Sequence, residues 1–384
     1  MEFKLTDIQE MVQETAREVA QKVIWGQVAQ IEKERHISDG IAKAVADAGI
    51  LGIPFPEEYG GIDAGYIAQA LAFEEIAKVS PSVSLSLLVS VTCLEAVRHY
   101  GSAEQKEKYL KAGIEGEFRA SLAFTEAGTG SDPKQILTTY RKEGSGFVIN
   151  GAKRFITNAA YKGPILLFAK NEQTLLVSAF MFEKFTEGYS LSTPWDTVGC
   201  RGSAIYDIFL DDVRIPASAL LGKEADGHKI LLSSVAHSKV ALCATFVGIM
   251  AAGYEAAVKY AKEKTHRGAP IAKFQSIQLK IATIAAMVES ARLMTYKLAE
   301  ESENRSNIAR MKAWVGLAKA YVSDIAVECN SMVMKVLGPY GVTEEFLVEK
   351  YMRDALIAPN IEGVSDMQRV IAAGYILNSD DLLI

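Results

Sequence analysis

Three short segments of this chain hold residue types that can bind or react with a ligand. FTEAGTGSDP (124–133) follows the apolar run ASLAF and is dense in backbone NH groups and hydroxyls. Gly128 and Gly130 let a ligand approach the backbone closely, so the loop can wrap a phosphate-bearing or flavin group. It is not a P-loop, because no GK[ST] follows, and not a GxGxxG turn, because Pro133 takes the third Gly position. Alone, such a stretch is more often a tight turn. NGAKRFITNAA (150–160) is a turn entering a strand and by itself means only a hairpin. APNIEGVSDMQRVIAAG (358–374) sets Glu362 just before Gly363 and an amphipathic helix. A lone carboxylate there is ordinarily a partner of the helix dipole.

The elements that must position these segments change period along the chain. In the first third, Ile41, Ala44, Val45 and Ala48 keep a helical stripe that Gly49 can cap, and PFPEEYGGIDAG (54–65) reads as a loop before another helix and Pro81. The middle third holds short β-branched or aromatic runs, 146–151, 153–158, 164–170, 175–182 and 203–215, separated by Gly, Asn, Asp and Pro. These predict an antiparallel β domain. The last third is helical again. Ile308, Met311, Val315, Ala318, Val322, Ile325, Cys329, Met332 and Val336 follow a 3-4 spacing, as do Phe274, Ile277, Ile281, Ile284, Val288 and Ala291. Two such helices want partners at a shallow angle, as in a bundle.

Composition narrows the function. The chain has 384 residues, enough for two or three domains, and a net charge of −6, which argues against a broad nucleic-acid or anionic-membrane surface. No two of the four Cys lie within ten residues and no HExxH occurs, so no zinc site is expected. The widely spaced thiols suit a reducing compartment. With no basic–apolar leader and no stretch long and apolar enough to span a bilayer, a soluble cytoplasmic protein without membrane insertion is expected.

Together, the three segments and their order in an α–β–α chain resemble the acyl-CoA dehydrogenase family over nearly the whole length. The similarity runs through Thr125, Glu126, Gly130, Ser131 and Asp132, then Asn150, Gly151, Lys153, Ile156, Thr157, Asn158 and Ala159. It continues in GCRGSAIYDIFLDDVRIP (199–216), FQSIQ (274–278), YMRDA (351–355) and the EG-x-S-D-x-QR stretch (362–369). The resemblance implies an α+β fold in three parts. These are an N-terminal α-helical domain (1–118), a middle antiparallel β-barrel or sandwich domain (119–229) and a C-terminal four-helix bundle (230–384). It implies FAD and α,β-dehydrogenation of an acyl thioester, with Glu362 taking the α proton, the β hydride going to flavin N5, and the Glu362 NH donating to the thioester carbonyl. Phe124, Thr125, Gly130, Ser131, Phe155 and Thr157 match flavin-lining positions. Lys264, Arg267, Lys335 and Asp366 match further cofactor positions, and Ser131, Lys239 and Gly363 match substrate positions. A homotetramer, or a homodimer, is implied, with electron-transfer flavoprotein or oxygen as acceptor.

Several positions depart from the family pattern. R-x-x-F-G reads Lys264, Thr265, His266, Arg267, Gly268, and Q-x-x-G-G-x-G reads Lys335, Val336, Leu337, Gly338, Pro339, Tyr340, Gly341. Val364 stands for a Thr. Lys offers a point charge in place of a bidentate fork, so a diphosphate is expected to be held differently. The usual Asp/Asn-x-x-Arg reads Ala236, His237, Ser238, Lys239. A minority type of the family carries its base at the position of Ser238, so Glu362 has no rival. Ile361, aliphatic where decarboxylating members commonly have Tyr, argues against that activity. Three readings stay open: an acyl-CoA substrate, the same chemistry on an acyl- or aminoacyl-carrier protein, and a non-redox member with weakened FAD binding.

Overall fold

Local signals start and stop several of the helices in the first part of the chain. Thr6 caps α1 (Asp7–Val19) with a reciprocal Gln9 contact, and Ser38 caps α3 (Asp39–Asp47), which ends at Gly49 with φ 74°. Ser80 closes α4 (Gly65–Val79) and caps α5 (Pro81–Tyr100), whose first residue is the proline. A short α2 (Val28–Glu34) and α6 (Ala103–Ile114) complete the helical first part. This computed structural model describes residues 4–130, 135–304 and 307–379.

The middle part is a single sheet. Its strands are β1 (Ser121–Ala123), β2 (Thr139–Glu143), β3 (Gly146–Thr157), β4 (Pro164–Asn171), β5 (Val177–Glu183), β6 (Tyr189–Leu191), β7 (Ile205–Pro216) and β8 (Leu220–Leu221). The order is β6-β7-β3-β2-β4-β5-β8, with β1 pairing β4. Most pairings are antiparallel, as the strand runs predict; β1 with β4 and β2 with β4 are parallel. The segments 146–151 and 153–158 fuse into the one long β3. Tyr140, Phe147 and Phe180 meet edge to face in the sheet's own core.

The last part holds α7 (Gly227–Glu263), α8 (Gln275–Glu303), α9 (Ile308–Leu337), α10 (Val348–Ala355) and α11 (Ser365–Leu377), with a small hairpin of β9 (Thr265–His266) and β10 (Ala269–Pro270) after α7. Helices α7, α8, α9 and α11 pack as the expected bundle, and α7 also packs on α4 and α5. Windows of α5 and α7 are apolar and long enough to cross a bilayer, but 94% and 83% of them is buried inside the fold. The first turns of α8 and α9 are less buried than their stripes predict, with Ile277 only half-buried and Ile308 exposed. Buried polar contacts dock the sheet on the helices. Asn158 accepts from Ser86 Oγ at 2.7 Å and donates to the Ser86 and Ala120 carbonyls. The Cys200 NH donates to Asp354 at 2.6 Å.

Candidate active site

Glu362 lies on the short turn between α10 and α11. The turn is left-handed at two successive residues, Glu362 (φ 52°) and Gly363 (φ 90°). Such a conformation is uncommon for a residue with a Cβ and persists only where surroundings enforce it. At Gly363 the left-handed φ of 90° favours glycine, because a residue with a Cβ would be strained there. The Ser365 NH donates to the Pro359 carbonyl at 2.9 Å. From α9, the fully buried Lys319 donates to the Ala358 carbonyl at 3.1 Å and the Pro359 carbonyl at 3.5 Å. Burial, and then the charge of Lys239, lowers the Lys319 pKa to about 8.

The carboxylate of Glu362 meets Lys239 of α7, Nζ to Oε2 at 3.1 Å. The lysine side chain is 3% exposed and the glutamate 19%, so the pair sits at the inner edge of an opening to solvent. Among the described residues, the Glu362 backbone NH donates to no acceptor. A carboxylate held by one cation, beside an available NH, can accept a proton next to a bound carbonyl.

The face for a flat cofactor is built by a bulge. The β3–β7 register shifts between Lys153 and Ile156, and Phe155 has φ 61° there. A bulge re-aims side chains, and this one leaves Phe155 49% exposed beside Trp195, ring centroids 5.3 Å apart. Two large exposed aromatic rings suit stacking against an isoalloxazine. The loop carrying Phe124 and Thr125 is fixed on β3. Arg154 NH donates to the Thr125 carbonyl at 2.8 Å, and the buried Lys153 ammonium bridges the Phe124 carbonyl and Glu126 at 3.3 and 2.7 Å. Burial lowers the Lys153 pKa to about 8, against the pull of Glu126. Glu126 also accepts from the NH groups of Leu137 and Thr138. Thr125 and Thr157 are half-buried and Gly130 is exposed; Ser131 lies outside the described residues. These residues fit a flavin ring.

The remaining cofactor candidates lie elsewhere. Lys264 caps the end of α7, about 38 Å along the helix from Lys239 at 1.5 Å per residue. Its ammonium sits 5.4 Å from the Tyr340 ring, which follows Lys335 at the end of α9. Lys264, Arg267 and Lys335 are all exposed. Asp366 is 97% exposed and pairs with Arg369. The structure therefore joins Glu362, Gly363 and Lys239 in one place and leaves the basic trio at the other end of the bundle.

Sequence reasoning missed Trp195, which belongs to no motif, and two further sets of residues. Lys319 gave no signal beyond its place in a helical stripe. Glu95, His99 and His237 converge with ligand-type atoms within 4.8 Å of one another. The four-residue spacing of Glu95 and His99 on one helix was the available sign.

Comparison with known proteins agrees with this fold. Three family profiles match in chain order. They are "Acyl-CoA dehydrogenase, N-terminal domain" over residues 6–117, "Acyl-CoA dehydrogenase, middle domain" over 121–213 and "Acyl-CoA dehydrogenase, C-terminal domain" over 225–377. A probable acyl-CoA dehydrogenase of Bacillus subtilis, YngJ, is 34% identical, covering 98% of this chain and 100% of that one. The butyryl-CoA dehydrogenase of Megasphaera elsdenii superposes with a TM-score of 0.95 at 29% identity, covering 98% and 100%. The prolyl acyl carrier protein oxidase AnaB superposes with a TM-score of 0.91 at 26% identity, covering 97% and 100%.

Proposed function

The chain belongs to the acyl-CoA dehydrogenase family of FAD-dependent oxidoreductases, and from that premise we propose that it introduces an α,β double bond into an acyl thioester with Glu362 as base. The observation that carries this reading is the Glu362–Lys239 pair, set on a strained turn beside an NH that no other group of the described chain uses. Glu362 takes the α proton, and its own NH donates to the thioester carbonyl as negative charge develops there. Lys239 holds the carboxylate in place before substrate arrives. FAD supplies the acceptor for the β hydride at N5. Phe155, Trp195, Phe124, Thr125 and Thr157 hold the ring and keep water from that face. Lys264, Arg267 and Lys335 lie too far along the bundle to serve the same ring, and in a homotetramer they would meet the diphosphate of a neighbouring copy. Exposed Leu279, Leu293 and Ile308 on the bundle favour such an assembly. The expected electron acceptor would be an electron-transfer flavoprotein or oxygen.

Glu362→Gln tests the assignment. Turnover should fall by at least ~10³-fold, while the bound-flavin spectrum stays intact. Near-normal turnover in that variant removes Glu362 from the role. A second reading places the acyl group on a carrier protein. Ala236 offers no polar group at the position of the family's acidic or amide residue, and Lys239 is buried against Glu362, so that stretch of α7 has little to offer the nucleotide end of CoA. Equal flavin bleaching by matched acyl-CoA and carrier-bound thioesters would rule the second reading out.

A further inference from the structure

Lys239 is buried, and among the described residues its ammonium has a single hydrogen-bond acceptor, Glu362 Oε2 at 3.1 Å. An ammonium carries three N–H donors, so donors remain for a group that arrives with a ligand. A second buried ammonium stands close by. Lys319 is near enough that the charges of both Lys239 and Glu362 bear on its proton. The other ionisable groups facing these lysines and Glu362 offer no free negative charge. Cys243 of α7 and Cys93 of α5 are held neutral by burial, which pushes each thiol up to about 12. Asp324, on the same helix as Lys319, is engaged by Arg369. Among the described residues, Glu362 is therefore the carboxylate that serves two buried cations.

Base catalysis removes the charge of that carboxylate. When the Cα–H bond breaks, its proton goes to a Glu362 oxygen and its electron pair is delocalised onto the thioester oxygen. Glu362 becomes neutral, and a buried ammonium that loses its only counter-ion is strongly destabilised. The thioester oxygen gains the charge that Glu362 gives up. The Glu362 NH, donating to that oxygen, places it within one residue's reach of the carboxylate that Lys239 holds. We propose that Lys239 is a catalytic residue that exchanges partners during proton abstraction, pairing with Glu362 beforehand and with the enolate oxygen as it forms. Without the exchange, the ion pair would only weaken the base by stabilising its charged form. With it, one cation stabilises the negative charge on either side of the proton transfer. The inference rests on the acyl-thioester reading above and adds a residue to its chemistry.

An enolate analogue tests this without turnover. Acetoacetyl-pantetheine ionises between its two carbonyls, and its enolate shares the charge with the thioester oxygen; butyryl-pantetheine is the neutral control. Both are titrated into holoenzyme at neutral pH, and the enolate's own ultraviolet absorbance reports the ionised form. The comparison is made in the Glu362→Gln background, where no effect of Lys239 can pass through the carboxylate. Adding Lys239→Met there should weaken enolate binding on the order of 10²-fold and butyryl binding by no more than about threefold. Lys239→Arg, which keeps the charge, should hold the enolate within about tenfold of the Glu362→Gln parent. Melting temperature and flavin content show that each variant is folded, and Lys239→Gln replaces the Met variant if that one loses flavin. Equal losses for the two ligands, or no loss for either, overturn the proposal and leave Lys239 as a holder of Glu362 alone. Near-normal turnover by Glu362→Gln would refute the base reading, and the enolate comparison would still decide whether Lys239 pairs with the oxygen.

Discussion

Replacing Lys319 with Met separates the positioning of Glu362 from the stability of the fold. The ammonium is fully buried and holds the carbonyls of Ala358 and Pro359, four and three residues ahead of Glu362. Lowering its pKa from 10.5 to about 8 corresponds to about 3 kcal/mol spent at neutral pH in keeping the charge buried. The variant recovers that cost but leaves the Ala358 carbonyl unsatisfied, a loss of about 1–3 kcal/mol. The two effects nearly cancel, so the melting temperature should move by no more than a few degrees. Turnover should not be spared. A turn held at two left-handed residues shifts when its anchor goes, and a displacement of about 1 Å costs on the order of 10²-fold in rate. Stopped-flow bleaching of the flavin by a thioester gives the rate, and thermal melts give the stability. The pH dependence adds a sign. Between about 8 and 10.5 the unfolded chain binds more protons at this lysine than the folded one, so wild-type stability relative to the variant rises across that window. Unchanged turnover with an intact fold would refute the anchoring argument, as would a stability loss of several kcal/mol.

The ion pair under the flavin-facing loop behaves differently. Lys153→Met leaves the Glu126 carboxylate buried without its cation, so unfolding free energy should drop by roughly 3–5 kcal/mol and flavin should dissociate more readily; denaturant melts that match wild type would contradict this. Cys93, Cys200, Cys243 and Cys329 are all buried and free. Burial pushes the thiols of Cys93, Cys243 and Cys329 up to about 12, and that of Cys200 well up. A thiol reagent at pH 8 should therefore label none of the four in the native protein and all four in denaturant; rapid native labelling at any one would show that its site opens.

Much of the architecture was written in the sequence because helices and strands are local. The 3-4 stripes of 274–291 and 308–336 lie in α8 and α9, and the Gly- and Pro-bounded runs of the middle third lie in or largely overlap β3, β4, β5 and β7. The stripes overstated burial at Ile277 and Ile308, where the rest of the described chain leaves the helix partly open, since periodicity gives a face but not its partner. Glu362 and the 124–130 loop were legible through their motifs. The β3 bulge was not, because one extra residue in a ladder shows only when the partner strand is in place.

The sequence by itself determined the element types, their order, the family and the residue types that could act. Only the tertiary structure decided which charges meet. Glu362 and Lys239 are 123 positions apart yet share an ion pair, and Glu95 finds His237 across two helices. Lys239 and Lys264 lie on one helix, but its length carries them to opposite ends of the bundle. The physical reason is that spacing along a chain encodes contacts within a few residues. The strength of a charge pair depends instead on separation and burial, and both are set by packing between elements distant in sequence.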